Sequence, residues 1–142
     1  WSGFEVETQN QALQEALKRK RVFVDAFRGE IDWMTLRCWD LLKGAALIEK
    51  AIAGEMISAE DAGHFKKRIG GELLLRYSSW DSLARALQIA AVWIGLEESV
   101  HAAEDALHQM TTVLESLLSE GGAWRQFPWP RQKEDESLPE VY

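Results

Sequence analysis

Basic charge, cysteine, proline and long apolar runs are all scarce in this chain, and each scarcity closes off a class of protein. Sixteen Lys and Arg stand against 23 Asp and Glu, giving a net charge of −7. Neutralising phosphates requires a basic face, so nucleic acid is not an expected partner. Two short basic runs, 18–21 and 66–68, read as solvated helix faces. The single cysteine, Cys38, excludes an internal disulfide and suits a reducing compartment. Three prolines, together with the lack of alternating β-branched runs, argue against strands and for an all-helical chain. No signal-peptide or lipid-anchor pattern occurs in it. The longest uncharged run holds eleven residues, 86–96. As a helix it would rise only about 16 Å, roughly half a bilayer core, so no integral membrane segment is expected.

What is present is a buried helix and its wrapping. Around 80–95, Leu83, Leu87, Ala90, Ala91 and Ile94 fall on one side of a helical wheel, and Ile89, Val92 and Trp93 on the other. A helix that is apolar all round belongs at the centre of a bundle. Ser78 or Ser79 can cap its start, and Gly95 weakens its end.

Before it, Thr8 with Gln11 has capping-box spacing and opens a helix reaching about Phe27, where Gly29 stops it. Asp32 can cap a second helix through Trp33, Leu36 and Trp39, in which Gly44 is a possible break. Ser58 and Asp61 open a third through Phe65, Ile69 and Leu73, with the costly pair Gly70-Gly71 inside it. That pair implies either a close backbone approach or a soft helix. After the central helix, Val100, Ala103, Leu107, Met110, Leu114 and Leu117 repeat at three and four residues. Gly121-Gly122 ends that helix, and Pro128 and Pro130 limit the short piece that follows. The predicted organisation is one all-α domain over residues 1–130, with a polar acidic tail at 131–142 that is expected to be mobile.

Three histidines each follow a carboxylate by three positions: Asp61 and His64, Glu98 and His101, Asp105 and His108. Glu-x-x-His on facing helices builds di-iron sites in bundles, which makes a metal-binding helical bundle one functional alternative. His101 and His108 sit beside other acids at the edge of the apolar stripe, which reads better as a solvated face. No nucleophile arrangement or phosphate-binding loop is present, so neither an enzyme nor a cofactor is expected. The seven tryptophans are either core packing or anchors lining a groove for an amphipathic helix.

Two stretches carry a resemblance. GELLLRYSSWDSLARALQIAAVW starts at Gly71, and LESLLSEGGAWRQF ends at Phe127. They resemble the first and second homology regions of the Bcl-2 family of apoptosis regulators. In that family a Glu-Leu-Phe precedes an Asn-Trp-Gly-Arg that opens a buried helix, and a Gly-Gly-Trp later precedes a short helix ending in Phe. Here Glu72-Leu73 precedes Trp80, and Gly121-Gly122 leads to Trp124 about forty residues beyond it. The resemblance implies a Bcl-2-like bundle of about seven helices around the central one.

It also implies an anti-apoptotic function: holding the amphipathic death-ligand helix of pro-apoptotic proteins in a hydrophobic groove. The groove residues would be Leu42 and Ala46 on the second helix, Ile69, Glu72 and Leu73 on the next, and Trp80, Asp81, Ser82, Arg85 and Ile89 on the central one. The family's arginine, which pairs with the ligand's aspartate, is replaced here by Ser82, and Asp81 would repel that acid. Arg85, one turn on, is the residue positioned to take over the charge. The implied protein is viral in type and cytoplasmic, reaching mitochondria through its partners. A homodimer covering the groove is also expected. The alternative within the same fold is an intracellular signalling inhibitor with a closed groove.

Overall fold

The computed structural model describes residues 2–31 and 35–130. Among them are six helices: α1 Ser2–Ala26, α2 Arg37–Ala53, α3 Ala59–Arg76, α4 Trp80–Gly95, α5 Val100–Leu118 and α6 Ala123–Gln126.

The sequence at the start of α4 fixes its first turn. The Ser79 hydroxyl accepts from the Ser82 amide at 3.1 Å, and the Ser82 hydroxyl accepts from the Ser78 and Ser79 amides, both at 3.1 Å. This is a reciprocal box with serine in the place usually held by Glu or Gln. Beyond it, Leu83, Leu87 and Ala90 are buried at 3% exposure or less, and Ala84, Ala86, Ile89 and Ala91 are also buried. The alanines matter because they let neighbouring backbones come close. α5 returns antiparallel along α4, with Gln88 donating to the Thr111 hydroxyl midway at 3.1 Å. At the hairpin's turn, a Cβ on Gly95 would lie 2.5–2.8 Å from backbone atoms of Ala102 and Ala103. Gly95 therefore permits the crossing as well as ending the helix.

α2 and α3 form a second hairpin, which meets α4 at its base. Cys38, Tyr77, Leu83, Leu87 and Leu114 join in one core, with Leu42, Leu73 and Trp124 packed on it. The distal half of this hairpin packs mainly on itself. Ala62 is buried there, while Leu47, Met56 and Phe65 are more than half exposed. Ser58 caps α3 by accepting from the Asp61 amide at 3.0 Å, as the spacing predicts.

α1 is held differently, by polar groups. The Arg19 guanidinium donates to the carbonyls of Leu96, Glu97 and Glu98 at 2.9–3.1 Å. These are orphan acceptors at the C-terminal end of α4, where a cation is favoured. Lys20 pairs with Glu97 at 2.7 Å and lies 4.5 Å from the Trp93 ring centroid. Ala16 is buried, but Leu13, Leu17 and Val22 are 57–70% exposed.

The all-α class and the central helix at 80–95 agree with the sequence reading; the bundle of about seven helices does not. Six are present among the described residues, and Gly44 does not break α2. A Cβ at Gly44 would meet the Ile69 Cδ1 at 3.5 Å, an ordinary contact, so Gly44 lies against α3 without being required by it. Thr8 and Gln11 lie within α1 and do not start it, since Glu5, Val6 and Glu7 upstream all tolerate helix. Gly29 does stop the chain, in a turn at φ +102° that disfavours other residues. Asp32, Trp33 and the 131–142 tail lie outside the described residues. The Gly70-Gly71 pair faces open space, so no close backbone approach requires it.

Leu87→Ala is expected to destabilise the chain by roughly 2–5 kcal/mol, through the cavity it leaves. Gly71→Ala, on an exposed helical surface, is expected to stabilise it by about 0.5–1 kcal/mol. Urea denaturation of the two variants checks both signs. A loss below about 1 kcal/mol for Leu87→Ala would remove α4 from the centre of the core.

Candidate helix-binding site

The residues nominated for a groove do not all meet. Ile69 packs at Gly44, so α2 and α3 touch directly where an open channel was expected. Leu42, Leu73 and Trp80 are half-buried against the core, and Ala46 is exposed. Glu72 turns to its own helix: the Arg76 guanidinium donates to it at 2.6 Å and 3.2 Å and holds its carboxyl below the usual range.

Ser82, Arg85 and Ile89, in contrast, line one cleft of about 290 Å3. Its other walls include Tyr77, Ala86 and Glu30. Successive positions 82, 85 and 89 share a helix face, so α4 brings them together by its own periodicity. Ser82 is committed to the cap, and Ile89 is buried at 5% exposure. Arg85 is the charged group of the three, and its guanidinium lies 3.0 Å from a Glu30 carboxylate oxygen. Both side chains are more than half exposed, so in water the pair is worth little by itself. Asp81 lines another depression, with Arg85 and Gln88 of α4 and Thr111 and Glu115 of α5.

Beneath the cleft, Tyr77 donates a hydrogen bond to the Cys38 sulfur, and the Cys38 thiol donates to the Thr35 carbonyl at 3.2 Å. Burial pushes both the thiol and the phenol upward from their ordinary values. A neutral thiol is a poor nucleophile, so Cys38 is a packing residue.

The tryptophans sort themselves by position. Trp80 stacks on Trp124 with centroids 4.7 Å apart, and meets Trp129 edge-on at the same distance. Its indole N–H donates to the Phe127 carbonyl at 2.6 Å. The two stretches that carry the resemblance are therefore in direct contact, joined through their tryptophans. Among the described residues no group of three or more His, Cys, Asp and Glu is placed to hold a metal. His101 lies 3.7 Å from Glu104 and 3.6 Å from Asp105, the acids that follow it, and is largely exposed with them.

Sequence reasoning missed Glu30, which is 55 positions from Arg85 and carries no local signal of the pairing. It also missed an open apolar cleft of about 540 Å3 between α1, α4 and α5, walled by Val22, Phe23, Val92, Leu96, Val100 and Leu107. Val22 lies off the face that α1 turns to the body, and only the placement of α1 gives it neighbours. No helix among the described residues is long and apolar enough to cross a membrane. Comparison with protein-family models, curated proteins and solved structures finds no match to this chain.

Cys38 is expected to resist a thiol reagent at pH 8 in the native protein and to react at once in denaturant; rapid native labelling would place it at the surface. Ser82→Ala is expected to cost about 0.5–2 kcal/mol, since it leaves two amides without their cap. Thermal melting checks this.

Proposed function

We propose that this chain is a protein-interaction module that captures an amphipathic helix from a partner, as a Bcl-2-like inhibitor of apoptosis does. The observation that carries the reading is the Arg85–Glu30 pair in the cleft beside Ile89. An arginine one turn into a buried helix, holding a carboxylate next to an apolar wall, reproduces the chemistry by which an acid on an incoming helix would be bound. Glu30 occupies that place in the free chain. The contact between the Trp80 and Trp124 stretches supports the same reading. The partners would be pro-apoptotic proteins, met in the cytoplasm or at the mitochondrial surface.

A helix docking here would displace Glu30, place its own acid on Arg85, and set an apolar side chain against Ile89 and Ala86. Because the exposed pair it breaks is weak, the exchange costs little. The direct packing of α2 on α3 at Gly44 and Ile69 favours a second reading. In it the groove stays closed, and the fold serves an intracellular signalling inhibitor through its outer faces.

Calorimetry with a panel of death-ligand peptides tests both. Binding tighter than about 10 μM is expected for at least one peptide. Arg85→Ala is expected to weaken it by roughly tenfold, and Glu30→Gln to tighten it by a few-fold, because removing the resident acid frees the guanidinium. Indifference of every peptide to both substitutions, or no binding at all, would reject helix capture at this site and leave the closed-groove reading.

A further inference from the structure

The cleft between α1, α4 and α5 has an almost wholly apolar surface. It lies at the far end of α4 from Arg85, and the function proposed above makes no use of it. Its walls leave Val22 and Val100 at 70% and 56% exposure. Contiguous apolar surface of this kind on a soluble chain marks a covered face.

The charges around the cleft indicate what covers it. Lys18 stands on the α1 wall and Glu104 on the α5 wall. α1 continues the basic edge with Arg21, and α5 the acidic edge with Asp105. A face that is basic on one side and acidic on the other complements itself when turned over. We propose that two copies of this chain join at this cleft. A two-fold axis running along it lays α1 of one copy over α5 of the other and sets Lys18 against Glu104 twice. The resident partners do not oppose this. Lys18 reaches Glu15 at 3.0 Å and Glu104 reaches His101 at 3.7 Å, both as exposed pairs on their own helices. Val22, Val100 and Leu107 form the apolar centre, and the charge pairs form the rim, which is the ordinary anatomy of an association surface. Arg19 is already engaged by the carbonyls that follow α4.

Sedimentation of the whole chain from about 1 to 100 μM should show its mass moving from one copy to two. Val22→Asp should hold it at one copy with unchanged helicity and unchanged peptide binding at Arg85, so failure here is distinguishable from failure of helix capture. Lys18→Glu alone and Glu104→Lys alone should each weaken association by about tenfold, since each sets like charges opposite one another twice. An equimolar mixture of those two variants should associate again, because every pair across a mixed dimer is then opposite in sign. A single-copy mass throughout the range overturns the proposal. A dimer that forms equally well in Val22→Asp, or a mixture no tighter than its components, overturns it too.

Discussion

The arrangement rests on the burial of α4. Its apolar circumference has to be covered, and no single neighbour can cover it, so α2, α3, α5 and the Trp124–Trp129 segment each take a sector. Leu83, Leu87 and Ala90 are lost from water almost completely, and Cys38, Tyr77 and Leu114 reach them from three other elements. Fully burying a single Leu or Ile is worth about 1.5–3 kcal/mol, which exceeds anything the exposed ion pairs of this chain supply. The serine cap at 79 and 82 sets where the helix begins. Gly95 sets where α5 may cross it. Between those two points the position of every site residue on α4 follows from its register.

What the sequence disclosed follows the same division. The central helix, its cap, the stop at Gly29, the cap at Ser58 and the amphipathic α5 were all legible, because each rests on residues within a few positions of one another. The apolar surround of 86–96 could be read as burial before any partner was known. The relation of α2 to α3 was not legible. That Gly44 lies inside a continuous helix, with Ile69 of another segment against it, has no signal within a few positions of it. The same holds for the start of α1, where a capping-box spacing at Thr8 and Gln11 has no effect because nothing forces the preceding residues out of the helix.

Of the nominated groove, the three residues that the structure gathers, Ser82, Arg85 and Ile89, sit on one face of one helix. Those it leaves apart, Leu42, Ala46, Ile69 and Glu72, had to be placed by the packing of separate helices. Glu72 shows the local alternative prevailing: Arg76 lies one turn away on the same helix, and that pairing requires no tertiary arrangement. Glu30 shows the reverse, a long-range partner that no periodicity announces. The stacking of Trp80 on Trp124 had a partial signal in the order of the two resembling stretches, but their contact is a property of the fold.

The Arg19 clamp gives α1 a thermodynamic character unlike that of the other long helices. The anchorage described for it is mainly hydrogen bonds from one guanidinium to three carbonyls, an ammonium–carboxylate pair and one small buried side chain, Ala16. Detaching α1 uncovers Ala16 and part of Phe23, less apolar surface than freeing α4 would, so its opening is less cooperative with the core. Amide protons along α1 are therefore expected to exchange with solvent through a local event of lower free energy than those of α4. The same event bares the ring of Trp93 and the last turn of α4. Of the long helices, α1 is thus the one whose described attachment turns chiefly on hydrogen bonds and charge.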